Sequence, residues 1–206
     1  MRRFVARLGY TQLMASPAAI PDAPPRSRWD GVRMSLAEFE ALPEEQPYLE
    51  YFGGRVVQKA VAKRPHWKAE VVIASRLLAF GAAAGGVAGT EATVYFESIS
   101  DVAYLVPDVA FWAATKAQGD DERSLPPTLA VEIRSRGQTL SDLFGKCRLM
   151  RANGVDVCWL VDPETREAYV FEGAKDGERL PAGSALTSSF LPGFELTLAD
   201  LWAELD

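Results

Sequence analysis

Residues 129–150 read "LAVEIRSRGQTLSDLFGKCRLM", and they decide the fold because a strand pattern gives way to a helix pattern inside them. Leu129, Val131 and Ile133 alternate with Ala130 and Glu132, the period-two signature of a strand. Thr139 with Asp142 three positions later has capping-box spacing. Leu140, Leu143, Phe144, Cys147 and Met150 then recur at helical spacing, and Asn153-Gly154 supplies a stop. Glu132 is the residue that does not belong to a plain core strand. An ionised carboxylate in an apolar run is costly unless something offsets its desolvation. Either that strand shows one face to water, or a cation meets the glutamate.

Outward from this stretch the patterns stay regular. "ATVYFE", "YLVPDVAFW" and "TLAVEIRS" are three apolar runs separated by turn-forming residues, and they read as strands. Before them, Trp67, Val71, Ala74 and Leu78 recur at helical spacing between His66 and Phe80, which predicts a helix with that stripe on the core and "GAAAGG" as its close. Further upstream, "YLEYFGGRVVQKA" predicts two strands joined at Gly53-Gly54. Ser35 and Glu38 form a capping box ahead of the short helix "LAEFEAL". Downstream, "VDVCWLVDPETREAYVFE" predicts two strands around an Asp-Pro-Glu-Thr turn, and "LTLADLWAEL" a short capped helix. The central order is helix, three strands, helix, strand: an α/β domain around a mixed sheet. The Pro- and Ala-rich "SPAAIPDAPP" marks residues 1–33 as a flexible extension, leaving 34–206 as one domain.

Bulk composition agrees. A chain of 206 residues, 48% hydrophobic and 24% charged, can bury one substantial core. No apolar run is long enough to span a bilayer, so no membrane partner is expected. "MRRFVARLGYTQLMASPAAI" has no continuous apolar segment of the kind a signal peptide needs. Cys147 and Cys158 fall in apolar patterns and read as buried thiols, which favours a reducing cytoplasm. The net charge of −6 is unevenly spread. From Arg55 to Arg76 there are six basic residues against one acid, and from Asp156 onward eleven acids against three basic residues. Such asymmetry permits one anion-binding face on an acidic protein, and equally a solvated helix and loop.

Several chemistries are excluded. His66 is the one histidine, which with two cysteines leaves too few ligands for an ordinary structural zinc site. Nothing supports His66 as the base of a serine triad. "GKC" at 145–147 lacks the first glycine of a phosphate-binding loop, since Leu140 stands there, and it lies mid-helix. No dinucleotide fingerprint follows any strand.

Two carboxylates and a lysine remain. Asp108 follows Pro107 inside "YLVPDVAFW", so a second acid interrupts a second apolar run. Singly, Asp108 fits a strand entry or edge. Together, acids on neighbouring strands can converge, and ionised carboxylates repel unless a cation separates them. Hard oxygen donors without His or Cys suit Mg²⁺ or Mn²⁺, ions that activate water and offset charge on a phosphate. Lys146 points about 40° beyond Met150 at about 100° per residue, the border of the apolar stripe. From there its stem can lie on the core and reach the sheet. A surface ion pair with Asp142 is the alternative.

The run "PDVAFW", then "LAVEIRS", then "DLFGKCRLMRANGVDVCWLVDPETREAYVF" resembles the Uma-two family of restriction-endonuclease-like proteins, within the PD-(D/E)XK nuclease superfamily. The resemblance extends through "MSLAEFEALP", "YLEYFGGRVVQ", His66 and "LPGFELTLADL". It implies a restriction-endonuclease-like α/β domain, a central mixed sheet flanked by helices with core order α-β-β-β-α-β. It implies that Asp108 and Glu132 bind metal, Mg²⁺ or Mn²⁺, and that Glu50 in "YLEYFGG" completes the site. The superfamily's lysine usually stands two residues after the acid, where this chain has Arg134; the family position on the following helix matches Lys146. His66, Lys63 and Lys68 could meet phosphates at the start of the first long helix, and Arg134 and Arg136 flank the site. His66 could instead bond to backbone there. Trp112, Trp159 and Phe111 sit in apolar runs and read as core.

The leading expectation is therefore a divalent-metal-dependent endonuclease that hydrolyses phosphodiester bonds in DNA, working as a homodimer. The competing one is a noncatalytic nucleic-acid-binding or assembly module that keeps the nuclease fold. The acidic net charge and Arg134 favour the second, and the surviving Asp, Glu and Lys favour the first.

Overall fold

The computed structural model describes residues 26–97, 102–116 and 125–206. In chain order the elements are α1 (Leu36–Glu40), β1 (Leu49–Phe52), β2 (Arg55–Gln58), α2 (Arg64–Ala84), β3 (Val87–Thr90), β4 (Val94–Glu97), β5 (Val102–Leu105), β6 (Val109–Trp112), β7 (Leu129–Ile133), α3 (Leu140–Ala152), β8 (Val157–Asp162), β9 (Glu167–Glu172), β10 (Lys175–Arg179), β11 (Ala185–Leu186), β12 (Leu196–Thr197) and α4 (Leu198–Leu205). A six-stranded sheet runs β10-β9-β8-β7-β6-β3, and a four-stranded sheet runs β2-β1-β5-β4.

The opening stretch folds as its pattern dictates. β7 pairs parallel with β8 and antiparallel with β6, so the sheet is mixed, and α3 is the crossover between the parallel pair. Both faces of β7 are covered. Leu129, Val131 and Ile133 pack with Ile73 and Leu77 of α2 and Leu201 of α4. Ala130 packs with Leu143, Cys147 and Met150 of α3. A fully buried aliphatic or aromatic side chain of this kind contributes roughly 1.5–3 kcal/mol. No face of β7 is left to water, so the half-exposed reading of Glu132 fails. Thr139 caps α3 by accepting from the Asp142 amide, and Asn153 closes it.

Within the six-stranded sheet the chain runs α2–β3–β6–β7–α3–β8. The runs read as three central strands do not map onto it one to one. "YLVPDVAFW" breaks at Pro107-Asp108 into β5 and β6, which enter different sheets, and "ATVYFE" becomes β4 of the smaller sheet. The strand that pairs with β6 is β3, whose "VAGT" carries almost no apolar signal. Gly86 ahead of it must be glycine, because a Cβ there would lie 2.3 Å from Phe111 Cζ.

α2 starts two residues before the expected His66 and runs to Ala84, four beyond Phe80, with Gly85 of "GAAAGG" closing it at φ +78. Three of the four residues of the expected stripe are on the wrong side, Ala74 being the exception. Trp67, Val71 and Leu78 are 48%, 60% and 55% exposed, while Ala69, Ile73, Ala74 and Leu77 are buried. Small residues on the true inner face let the helix sit close to the sheet, and the larger Trp67, Val71 and Leu78 lie on the outer side. Of the expected extension 1–33, residues 1–25 lie outside the described residues; nearer the domain, the Gly31 amide donates to the Val56 carbonyl and Arg33 bridges to Arg55. Among the described residues no helix is long and apolar enough to cross a membrane. Cys147 and Cys158 are free, buried thiols.

Candidate active site

Six elements deliver charged side chains to one buried region: β1 brings Glu50, the end of β2 Lys59, α2 His66, the β5–β6 break Asp108, β7 Glu132 and α3 Lys146. Pro107 has no amide to donate, and the chain beyond it turns Asp108 toward β7. There Asp108 Oδ2 accepts the Ile133 N–H at 2.6 Å. Its Oδ1 accepts from Lys59 Nζ at 2.9 Å and lies 3.6 Å from His66 Nε2. His66 is fixed from the other side by Ser135 Oγ, 2.9 Å from Nδ1.

The second half of the region is centred on Lys146. Its Nζ lies 2.7 Å from Glu50 Oε1 and 2.8 Å from Glu132 Oε1. Glu50 Oε1 also accepts the Val106 amide at 2.8 Å. Glu132 Oε1 is buried and, apart from this ion pair, has no hydrogen-bond partner. Lys146 thus reaches the sheet as its stripe-border position allows, and it does not pair with Asp142.

Glu70 and Glu91 also approach the cluster, which sets five carboxylates against two lysines and a histidine. Burial pushes Glu132 up to about 8, against the opposing pull of Lys146. Burial acts on Asp108 in the same direction but is outweighed by Lys59 and His66, which hold it well below the usual carboxylate range. Burial alone would lower Lys59 and Lys146; Asp108 and Glu132 respectively, with the other acids, keep both above the ordinary lysine range. His66 is raised, burial being overcome by Asp108 and Glu70. Burial raises both Glu70 and Glu91.

The donors are of the right kind for a hard divalent ion, since Asp108, Glu132 and Glu50 offer only carboxylate oxygens and Glu132 Oε1 is a buried acceptor met by the Lys146 ammonium and by no hydrogen-bond donor besides. As they stand, no three acidic, histidine or cysteine side chains among the described residues converge to hold an ion. The ammonium groups of Lys59 and Lys146 lie between the carboxylates instead.

Next to the cluster runs a basic groove of about 730 Å³, lined by Lys63, Arg64, His66, Arg134, Ser135 and Arg136 together with Pro163 and Glu164. His66 and Ser135 also line the small cavity of about 90 Å³ that holds Glu50, Asp108, Glu132 and Lys146, so groove and cluster are contiguous. Two candidates behave differently from their sequence reading. Lys68 Nζ donates to the Leu205 carbonyl at 2.8 Å, tying α2 to the end of α4. Arg134 shares strand parity with Glu132, but β7 ends at Ile133. The Arg134 guanidinium bonds Asp162 Oδ2 at 2.6 Å and the Gln138 carbonyl at 3.1 Å, not the carboxylate cluster. Parity lapses where the ladder ends, and a fully buried aspartate is the stronger attraction.

Lys59, Glu91, Glu70 and Asp162 were not singled out in the sequence. One of them had a legible signal. Glu50 pairs with Val57 across the Gly53-Gly54 hairpin, and Lys59, two residues beyond Val57, inherits the face of Glu50. Glu91 had none, since it follows β3, whose "VAGT" carries almost no apolar signal.

A mixed sheet with acids at the β6 and β7 positions and a lysine on the crossover helix defines a protein of the restriction-endonuclease-like fold. One solved structure agrees with that class. A crystal structure of a "putative nuclease belonging to DUF820" from Anabaena variabilis superposes with TM-score 0.73 at 22% identity, covering 84% of this chain and 99% of that one. A cryoEM structure of a DrdV–DNA complex matches with TM-score 0.40 at 15% identity, over 69% of this chain and 11% of that one. No curated protein gives a significant match. The Uma2 family model, described as "Putative restriction endonuclease", matches residues 36–199, and the chain belongs to that family.

Proposed function

We propose that the chain is a divalent-metal-dependent endonuclease acting on DNA. The observation that carries this reading is the buried Glu132–Lys146–Glu50 group, with Asp108 on the neighbouring strand, opening through His66 onto the basic groove. Asp108 and Glu132, with Glu50, would hold Mg²⁺ or Mn²⁺, which supplies charge neutralisation for the phosphate and an acidified water. Lys146 is a compact ammonium beside Glu132, placed to offset charge that develops on the phosphate oxygens. Lys63, Arg64 and Arg136 line the path for the phosphodiester backbone, and Arg134, pinned by Asp162, orders the loop that carries Ser135 and Arg136. Cutting both strands of a duplex calls for two such sites, so the working form is a twofold-symmetric homodimer, which light scattering at micromolar concentration tests.

The deciding experiment incubates plasmid and single-stranded DNA with the protein and increasing Mg²⁺ or Mn²⁺, with Glu132→Gln as control. Metal-dependent cleavage that Glu132→Gln abolishes is the expected result. DNA binding with no cleavage by either protein would overturn the enzyme reading in favour of a noncatalytic nucleic-acid-binding module.

A further inference from the structure

Lys59 leaves the end of β2 and buries its ammonium among oxygens. Nζ lies 2.9 Å from Asp108 Oδ1, 3.0 Å from each carboxylate oxygen of Glu91, and 2.8 Å from the Val106 carbonyl. An ammonium has three hydrogens to donate. Four oxygens at these distances exceed that number, so they enclose a charge and do not match a donor pattern. The backbone contributes as well. Glu91 has φ 53, in the left-handed region that a glutamate adopts only at some cost, and its amide donates to the Asp108 carbonyl at 3.2 Å. That conformation brings a second carboxylate to the point Asp108 already faces, and the two would repel without a cation between them. Two carboxylates and a main-chain carbonyl are donors characteristic of hard divalent ions.

We propose that these oxygens form a cation site that Lys59 fills with its own ammonium, so that a divalent ion binds beside Asp108 in competition with Lys59, with Glu91 as a further ligand. The inference rests on the reading of Asp108 as a metal-binding residue. The built-in cation lets the acidic cluster fold without metal. A cleft of about 500 Å³ beside it, lined in part by Gln46, Tyr48 and Val61, gives the displaced side chain room.

Isothermal titration with MnCl₂ tests this on wild type, Lys59→Met, Lys59→Gln, Asp108→Asn and Lys59→Met/Glu91→Gln, with circular dichroism to establish folding. Lys59→Met should bind Mn²⁺ at least tenfold more tightly than wild type, and adding Glu91→Gln should remove most of that gain. If Lys59→Met and Lys59→Gln unfold without metal, recovery of their helical signal by Mn²⁺ supports the proposal, and no recovery overturns it. Unchanged or weaker affinity in both folded variants, with wild-type binding still lost in Asp108→Asn, overturns the competition alone and leaves the metal-dependent reading standing. Absence of Mn²⁺ binding in every protein overturns both.

Discussion

Lys146 holds two carboxylates from a single helix position, which makes the cost of removing it larger than that of removing either acid. Lys146→Met leaves Glu50 and Glu132 buried and facing each other, and loss of one partner from such a group costs about 3–5 kcal/mol. Glu132→Gln keeps the Lys146–Glu50 contact and should cost less. In urea unfolding, the Lys146→Met/Glu132→Gln double variant should be more stable than the sum of the single losses implies, by about 1 kcal/mol or more. Additive losses would show that the 2.8 Å pair carries no coupling. Asp162 offers a pH test away from the acids proposed to bind metal. Burial would raise its carboxyl, but hydrogen bonds from Arg134 and from the Glu164 and Thr165 amides hold it below its ordinary value. A lowered folded value means stability that is present above the unfolded value near 4 and is lost as pH falls through the folded one. Asp162→Asn should therefore cost about 2 kcal/mol at pH 7, with the gap to wild type closing below pH 4 in thermal melts. A gap that stays constant from pH 7 to pH 3 would remove the charged pair as its cause.

At the scale of elements, the sequence was most legible where capping and periodicity agreed. α3 illustrates this, with Thr139 at its start, Asn153 at its end and a stripe that does face the sheet. The same stripe placed Lys146 at a border and so at the carboxylates. α2 was legible as a helix closed within "GAAAGG" and misleading in its orientation, because Ala69, Ile73 and Leu77 face inward while Trp67, Val71 and Leu78 of the expected stripe do not. Short strands such as β3 are held by pairing with β6 and leave little trace in composition. Lys59 was hidden for a different reason, since a lysine at a strand end is ordinarily solvated and only the hairpin register turns it inward. Lys68 shows the converse, a basic residue in a basic segment whose partner is a helix end. Cations stabilise helix C-termini by satisfying terminal carbonyls. Lys68→Met should lower stability by about 1 kcal/mol in chemical unfolding and leave DNA affinity unchanged in fluorescence anisotropy. A several-fold loss of affinity would return Lys68 to the nucleic-acid interface.

For the whole molecule, the proposed function asks a protein of net charge −6 to offer a surface to polyanionic DNA. Half of the basic segment is engaged by partners within the fold. Of its six basic residues, Lys59 enters the carboxylate cage, Lys68 bonds the end of α4, and Arg76 pairs with Glu204. Arg55 is exposed on β2 and does not line the groove, whereas Lys63 and Arg64 do, and the loop after β7 adds Arg136 beside them. The acids from Asp156 onward include Asp162, Asp176 and Glu167, which are paired with Arg134, Arg148 and Arg179. The groove is thus a local positive field on an acidic protein, and its reach is limited to about one Debye length, roughly 8–10 Å at physiological salt. Binding should be steeply salt dependent and indifferent to sequence in its electrostatic part. Each phosphate contact contributes about 0.9 to the slope of log affinity against log salt. Replacing Lys63, Arg64 and Arg136 together by Ala should flatten that slope by about 3 and weaken all duplexes alike. The measurement is fluorescence anisotropy of two unrelated duplexes between 50 and 200 mM KCl in Ca²⁺-free, Mg²⁺-free buffer. An unchanged slope in the triple variant would mean that the backbone path runs elsewhere on the molecule and that the groove is only solvated.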